Sequence, residues 1–385
     1  MVITTVLGNY DPIFYAQEAL IQLHKALGMA GRVHRGYDPN PQSKGSTINI
    51  TRPSVFEATE VNVNTGGTIQ DLNPENVSIV LDTWKEVKFA LSDKELTFTK
   101  EKIITDHIAP AAYAIADAID QSVAGLYKYI PWKTAITGTP AIGDLTLARK
   151  TLFNLMCPMD ERLHMMVDGA VEAGLLDLSA FHTESGAGAQ GIATQMRGTL
   201  GRKFGFEIFA NQNTPAHTSG TMADTAGALN AGYAAGVETI VIKSLTDGQD
   251  IAVGDIIAIT GDAQQYVATS AATVSTTASI GIYPPLKQAA LADAVVTVIL
   301  PSGTGVTKNQ CLAFHHDAFA LAMAPLSDLG SVIGARVATI SDPVSNLSLR
   351  SRIWYDADLS TVKIGLDALW GVKILNPNLA VRMVQ

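Results

Sequence analysis

Between Gly45 and about Tyr129 a long two-stranded β stretch runs into a long alanine-rich helix, and no catalytic signature lies in between. Residues Thr47 to Val63 alternate in strand fashion. A second strand-like run, Val77 to Leu91, follows a turn-rich middle that contains Gly66, Gly67, Asn73 and Pro74. A two-stranded hairpin is marginal in water, so a ribbon of this length needs something to lie on, most economically a neighbouring copy. The chain reads as one part of an assembly.

Composition agrees with that reading. The 385 residues suffice for two or three subdomains at roughly 150 residues each. A hydrophobic fraction of 47% fits a folded protein, whereas 16% charged residues is low for a monomer covering its own surface. The net charge of −9 argues against a protein whose main work is neutralising phosphates, and leaves room only for weak nucleic-acid contact on one face. The first 45 residues are nearly neutral, with Lys25, Arg32, Arg35 and Lys44 against Asp11, Glu18 and Asp38. Cys157 and Cys311 are the only cysteines, too few for a disulfide framework and without metal-site spacing, and are expected as buried thiols. Met1 to Pro12 shows no basic segment leading into an apolar core, and no run of about 18 apolar residues exists, so a soluble, intracellularly made protein is expected.

Along the chain, Ile13, Ala16, Leu20, Leu23 and Leu27 have near-helical spacing after the turn residues Asn9 to Pro12, which predicts an amphipathic helix on an N-terminal arm. Tyr37 to Gly45 then stops regular structure. Ser92 and Glu95 have the form of a capping box, so helix is expected to begin near Ser92. The stretch Lys102 to Ile130 sets Ile104, Ile108, Ala112, Ile115, Ile119, Val123 and Tyr127 on one stripe, with Pro110 as a kink or a restarted first turn. Such a helix would span roughly 40 Å.

Thr139 to Asn211 alternates helix (Leu145 to Met156, Gly191 to Gly201) with strand (His164 to Asp168, Phe206 to Ala210), and this α/β module resumes at Cys311, where CLAFHHDAFALAMAPL reads as strand. Between them, Gln212 to Lys308 is rich in Thr, Ala, Val and Gly, lacks Phe and Trp, and carries three lysines against seven carboxylates. Its short runs Thr239 to Lys243, Asp255 to Thr260, Gln265 to Ala268, Ser279 to Tyr283 and Val295 to Leu300 predict an inserted β-barrel or sandwich. Strands are expected again at Leu347 to Trp354, Thr361 to Leu366 and Gly371 to Leu375.

This order of parts resembles the major capsid protein of tailed bacteriophages, the Hong Kong type shell fold, in the podovirus-like branch with an inserted domain. The words that carry the likeness are TWKEVKFALSDKELTF (Thr83 to Phe98), APAAYAIADAIDQ (Ala109 to Gln121) and CLAFHHDAFALAMAPL (Cys311 to Leu326). GDIIAITGDAQQYVAT (Gly254 to Thr269) and IGIYPPL (Ile280 to Leu286) resemble the small β insertion of those proteins. The resemblance implies an α+β chain with an N-terminal arm over 1–45 and an extended β ribbon over 46–91, its loop at about Ser54 to Val77. A peripheral domain with the long spine helix follows over 92–138. The axial α/β domain comprises 139–211 and 309–334, split by an inserted small β-barrel at 212–308, and 335–385 is a β-rich return to the peripheral domain.

It further implies a non-enzymatic subunit, without cofactor or metal, that self-assembles as pentamers and hexamers into an icosahedral shell around double-stranded DNA. The expected partners are a scaffolding protein during assembly, the portal protein, a decoration protein as an optional addition, and packaged DNA on the inner face read without sequence specificity, with no membrane. The shell is expected in the virion, assembled in the host bacterial cytoplasm. Although some relatives cross-link Lys to Asn, no motif here identifies such a pair. The expected subunit contacts are Ile13, Phe14 and Leu20 on the arm and Phe56, Trp84 and Phe89 on the ribbon.

Other chemistry finds little support. GAGAQG, Gly186 to Gly191, with Glu207 about 20 residues on, matches a dinucleotide fingerprint, but no apolar strand precedes it and no series of βαβ units follows, so a loop before a helix is the better reading. His315, His316 and Asp317 as adjacent strand residues would face opposite ways and could not readily share an ion. The remaining histidines, His24, His34, His107, His164, His182 and His217 among them, show no paired spacing. GTGVTK, Gly303 to Lys308, lacks the four-residue gap of a phosphate loop and reads as the exit from the insertion. Asn49, Asn76 and Asn346 begin N-x-S/T words without any sign of secretion. A cell-surface or carbohydrate-binding β protein is the alternative, and it would call for a signal peptide or an exposed aromatic platform.

Overall fold

The structure, a computed structural model, describes residues 12–36, 47–51, 76–92, 107–183, 194–222, 227–245, 248–327, 336–342, 347–356 and 358–385. The chain divides into two compact units, one built from Met1–Ala26, Arg35–Ala116 and Leu321–Lys373, the other from Leu27–His34, Asp117–Ala320 and Ile374–Gln385.

In the first unit the predicted arm helix forms as Pro12–Ala26 and packs on strands Arg336–Asp342 and Leu347–Asp356. Its buried face is Tyr15, Ala16, Ala19 and Leu23, while Ile13 and Ile21 are half exposed. The ribbon begins with Thr47–Thr51 antiparallel to Asn76–Val80, and Ile48 lies opposite Ile79 with both buried. Its expected loop falls outside the described residues. The single strand expected from Val77 to Leu91 is in fact two: after Val80 the chain changes partner, and Thr83–Ser92 pairs along Thr361–Ile374. From Ile79 to Leu91 the odd-numbered residues, exposed Lys85 excepted, are buried or partly buried and the even-numbered ones exposed, so side-chain alternation carries through the change of partner.

Thr361–Ile374 is likewise one strand of 14 residues, not the two expected. It lies in a five-stranded sheet with Phe319–Ala324, Leu347–Asp356, Arg336–Asp342 and Thr83–Ser92. A side chain at Gly371 would begin 2.1 Å from the Val80 carbonyl oxygen, so only glycine lets the ribbon backbone cross this strand so closely.

The alanine-rich helix is Ala109–Ala124, with Pro110 in its first turn where no intrahelical N–H is needed. At 16 residues it spans about 24 Å, shorter than expected, and Gly125–Tyr129 continues as a 3-10 turn. Gly125, a poor helix former, stands at the change. Ile108, Ala112, Ile115, Ile119, Val123 and Tyr127 of the predicted stripe are all buried. Ser92 ends a strand, and residues 93–106, where the helix was expected to start, lie outside the described residues.

The second unit is organised by a seven-stranded sheet in the order Lys133–Ala135, Ala380–Val384, Thr307–His315, Leu163–Val167, Phe206–Ala210 and Gly201–Lys203, with Ala216–Thr218 added on Thr307–His315. Residues 374–385 thus return to this unit, and their strand sits inside the sheet. Helix Ile142–Asn154 packs on it, and Leu145, Leu152, Met165, Phe181, Phe206 and Val381 share the core. The Asp168 side chain caps helix Gly169–Leu176 by accepting the Val171 N–H at 2.9 Å. Of the helix expected at Gly191 to Gly201, only 194–197 is helical among the described residues; Gly198 and Gly201, both at positive φ, end it and turn the chain into a strand.

The barrel expected within 212–308 is present as a closed ring of six strands: Thr239–Lys243, Thr277–Tyr283, Gln265–Ala268, Ile256–Ile259, Val295–Ile299 and Gly227–Leu229. Alternate residues such as Ile240, Ile242, Ile257, Tyr266, Ile280 and Val296 fill it. The chain enters and leaves through a neck, Ala216–Thr218 antiparallel to Thr307–Asn309, where the Thr218 and Thr307 hydroxyls meet at 2.7 Å.

Candidate functional site

The six expected contact residues fare differently. Trp84 is 57% exposed on Thr83–Ser92, its ring held by an Nε1–H bond to Asp367 at 3.1 Å. Phe89 on the same strand is partly buried against His107, with ring centroids 5.5 Å apart. Ile13 is open and Leu20 partly buried on the arm helix. The Phe14 side chain and all of Phe56 lie outside what is described. Sequence reasoning passed over several more prominent apolar side chains in the second unit: Phe153 is 69% exposed and Met156 91% exposed at the end of Ile142–Asn154, with Met196 and Leu291 nearly as open. Their helix and loop context gives no sign in the sequence that they face outward.

The Tyr127 hydroxyl beside His217 and the Cys311 thiol beside Asp168 are buried. A cleft of about 420 Å³ on the barrel is lined by residues 259–262 and 288–295, four of them alanines and two of them aspartates. Instead the second unit holds three polar clusters that fix segments to one another.

Beneath the barrel, His217 bridges Tyr127 and Asp255, its Nδ1 3.2 Å from the Tyr127 hydroxyl and its Nε2 3.2 Å from Asp255 Oδ1. The fully buried Asp255 carboxylate also accepts the N–H groups of Gly220 at 2.9 Å and Ala252 at 2.8 Å. Arg382, equally buried on the last strand, donates to the Gly254 carbonyl at 2.9 Å. Burial lowers its pKa to about 10 against the favourable charges of Tyr127 and Asp255, and its Nε and Nη2 find no acceptor among the described residues. The buried Arg382 guanidinium and the Gly254 carbonyl thus tie the barrel to the sheet.

A second cluster surrounds Asp120. Its carboxylate accepts the backbone N–H groups of Gly28 at 2.8 Å, Ala30 at 2.8 Å and Met29 at 3.3 Å, together with the Asn211 side chain. Burial outweighs these bonds and holds its pKa above the usual carboxylate range. This pins the segment before the 3-10 turn Ala30–Arg32.

The third cluster corrects the strand reading of Cys311 to Leu326. The strand stops at His315, a 3-10 turn occupies His316–Ala318, and a new strand starts at Phe319. The turn forms because His315 Nδ1 accepts the Asp317 N–H at 3.2 Å, as a capping side chain does. His315 Nε2 then donates to Asp160 Oδ1 at 3.0 Å. His316 and Asp317 consequently do not alternate across a strand, and His34, from far up the chain, completes the group: its Nδ1 lies 3.1 Å from Asp317 Oδ1. Burial pushes Asp317 upward, but the His316 hydrogen bond and Arg162 outweigh it and leave the carboxyl below its ordinary range. Asp160, against the same burial trend, is drawn down to about 2 by the Arg162 N–H and guanidinium. Close by, Arg32 binds Glu207 through Nη2 at 2.7 Å and Nε at 3.0 Å.

No helix among the described residues is long and apolar enough to cross a membrane. No protein-family model matches the chain, and no curated protein matches it in sequence. Solved structures with a similar course include one from Mycobacterium phage Che8, at 16% identity and a TM-score of 0.49 over 93% of this chain and 90% of that one. The capsid of cyanophage P-SCSP1u is similar at 10% identity and a TM-score of 0.46, over 89% and 84% of the two chains. The mature capsid of bacteriophage PhiM1 is similar at 11% identity and 0.45, over 89% and 83%.

Proposed function

We propose that this chain is a structural capsid subunit of a tailed bacteriophage, without enzymatic activity. It assembles in many copies, in rings of five and six, into an icosahedral shell that encloses double-stranded DNA. Scaffolding, portal and optional decoration proteins would be its partners, host cytoplasm its place of assembly, and the virion its destination.

The observation that supports the reading is the order of parts. A ribbon, an alanine-rich helix and an α/β sheet follow one another, and the sheet is interrupted by a closed barrel on a two-stranded neck. The coat proteins that the sequence resembles carry the same succession. Exposed Trp84, Phe153 and Met156 supply apolar anchors of the kind that many modest interfaces use. Electron microscopy of the expressed chain tests it: shells, tubes or capsomer rings are expected, and a monodisperse monomer at high concentration would sink the proposal.

A further inference from the structure

Three side chains offer one ligand atom each within a sphere small enough for a single ion: His34, His316 and Asp317, whose ligating atoms all lie within 4.8 Å of one another. The two imidazoles converge on the same carboxylate oxygen, His34 Nδ1 at 3.1 Å and His316 Nδ1 at 2.9 Å from Asp317 Oδ1. Around a tetrahedral Zn²⁺ with bonds near 2.0–2.1 Å, neighbouring ligand atoms stand about 3.3 Å apart, so both nitrogen-to-oxygen spacings are already near that value, and the two ring nitrogens, within 4.8 Å of each other, would draw together on binding. The rings already meet edge to face, with centroids 5.5 Å apart.

The surroundings hold these groups in place. The other carboxylate oxygen of Asp317 is occupied by Arg162 Nη1 at 3.2 Å, which leaves Oδ1 directed at the histidines. His34 is fixed by its backbone N–H, which donates to the carbonyls of His316 and Phe319, both at 3.1 Å. His316 donates its own backbone N–H to the Arg162 carbonyl at 3.0 Å. All three side chains are about one-third exposed, so an ion can reach them from solvent.

We propose that His34, His316 and Asp317 bind one divalent transition-metal ion, Zn²⁺ being the best match to two imidazoles and one carboxylate. Each ring would coordinate through Nδ1 with its proton on Nε2, Asp317 through Oδ1, and water would take the fourth position. Arg162 orients the carboxylate from outside the coordination sphere. The ion would clip the segment 27–34 to the turn His316–Ala318.

The test uses the purified, chelator-treated full chain titrated with Zn²⁺ alone by calorimetry. One equivalent per chain is expected, with at least a tenfold loss of affinity in His34→Ala and in His316→Ala and none in His182→Ala. Failure of the wild type to take up one equivalent, or equal affinity in all variants, overturns the proposal. Should an alanine variant misfold, the wild type alone decides through Co²⁺, for which intense visible d–d bands are expected of tetrahedral coordination. A spectrum like that of hydrated Co²⁺ overturns it.

Discussion

Arg350 and Asp367 face each other on adjacent strands of the five-stranded sheet and join in a bidentate pair, Nε to Oδ1 at 3.0 Å and Nη2 to Oδ2 at 2.6 Å. Asp367 is fully buried and also receives the Trp84 indole N–H and approaches Arg352 at 3.3 Å. One carboxylate thus links three strands. Asp367→Ala leaves Arg350 buried without its charge partner, and a loss of about 3–5 kcal/mol in urea-unfolding stability is expected. Arg350→Met combined with Asp367→Leu should recover at least half of that loss, because two apolar groups need no partners. A double variant no better than the single one would contradict this account.

Gly371→Ala should destabilise the first unit by about 1–3 kcal/mol, since the new Cβ meets backbone, which cannot rotate aside as a side chain can. Faster proteolysis of the paired strands Thr47–Thr51 and Asn76–Val80 should accompany it. Gly365→Ala, six residues away on the same strand, meets nothing nearer than the Trp354 ring at 3.4 Å and should cost little. Equal losses by thermal melting would refute the distinction.

His164 gives the second unit an acid-sensitive element. Its Nδ1 lies 3.1 Å from Glu207 Oε2 but makes no aligned hydrogen bond, and burial, partly countered by Glu207, holds its pKa below the ordinary value. The unfolded chain therefore takes up a proton near pH 6.5 that the folded chain resists, so this contribution to stability is complete above that pH and is lost as pH falls. Between about pH 7 and pH 5 the wild type should lose on the order of 1 kcal/mol through this group. His164→Gln should show a shallower dependence in urea midpoints, and an unchanged slope would remove His164 as the cause.

Burial raises both thiols, Cys157 and Cys311, to about 12, with the nearby carboxylates Asp160 and Asp168 acting in the same direction. Neither is paired in a disulfide. The native protein should therefore react with a thiol reagent at neutral pH many times more slowly than the unfolded chain, which should release both equivalents at once. Rapid native labelling would show that one of the two is more accessible than its surroundings imply.

Much of the fold was legible where the signal is local. The runs Thr239–Lys243 and Gln265–Ala268 were read to the residue because alternation and flanking turns suffice to mark a barrel strand. Ala380–Val384 was missed: five residues with an arginine at the centre look like an exposed end, and only pairing with Thr307–His315 and Lys133–Ala135 makes a buried strand of them. The third polar cluster was invisible for a related reason. His34 and Asp317 are 283 positions apart, and the turn that aims His316 depends on a side-chain bond from His315 that periodicity does not report.

The six-stranded barrel has a consequence for anything built from this chain. With its ring of hydrogen bonds closed, it has no vacant ladder to lend to a second molecule. It can meet others only through side chains and loop tips, which makes it a safe place to vary or to graft foreign peptides without inviting fibrous stacking.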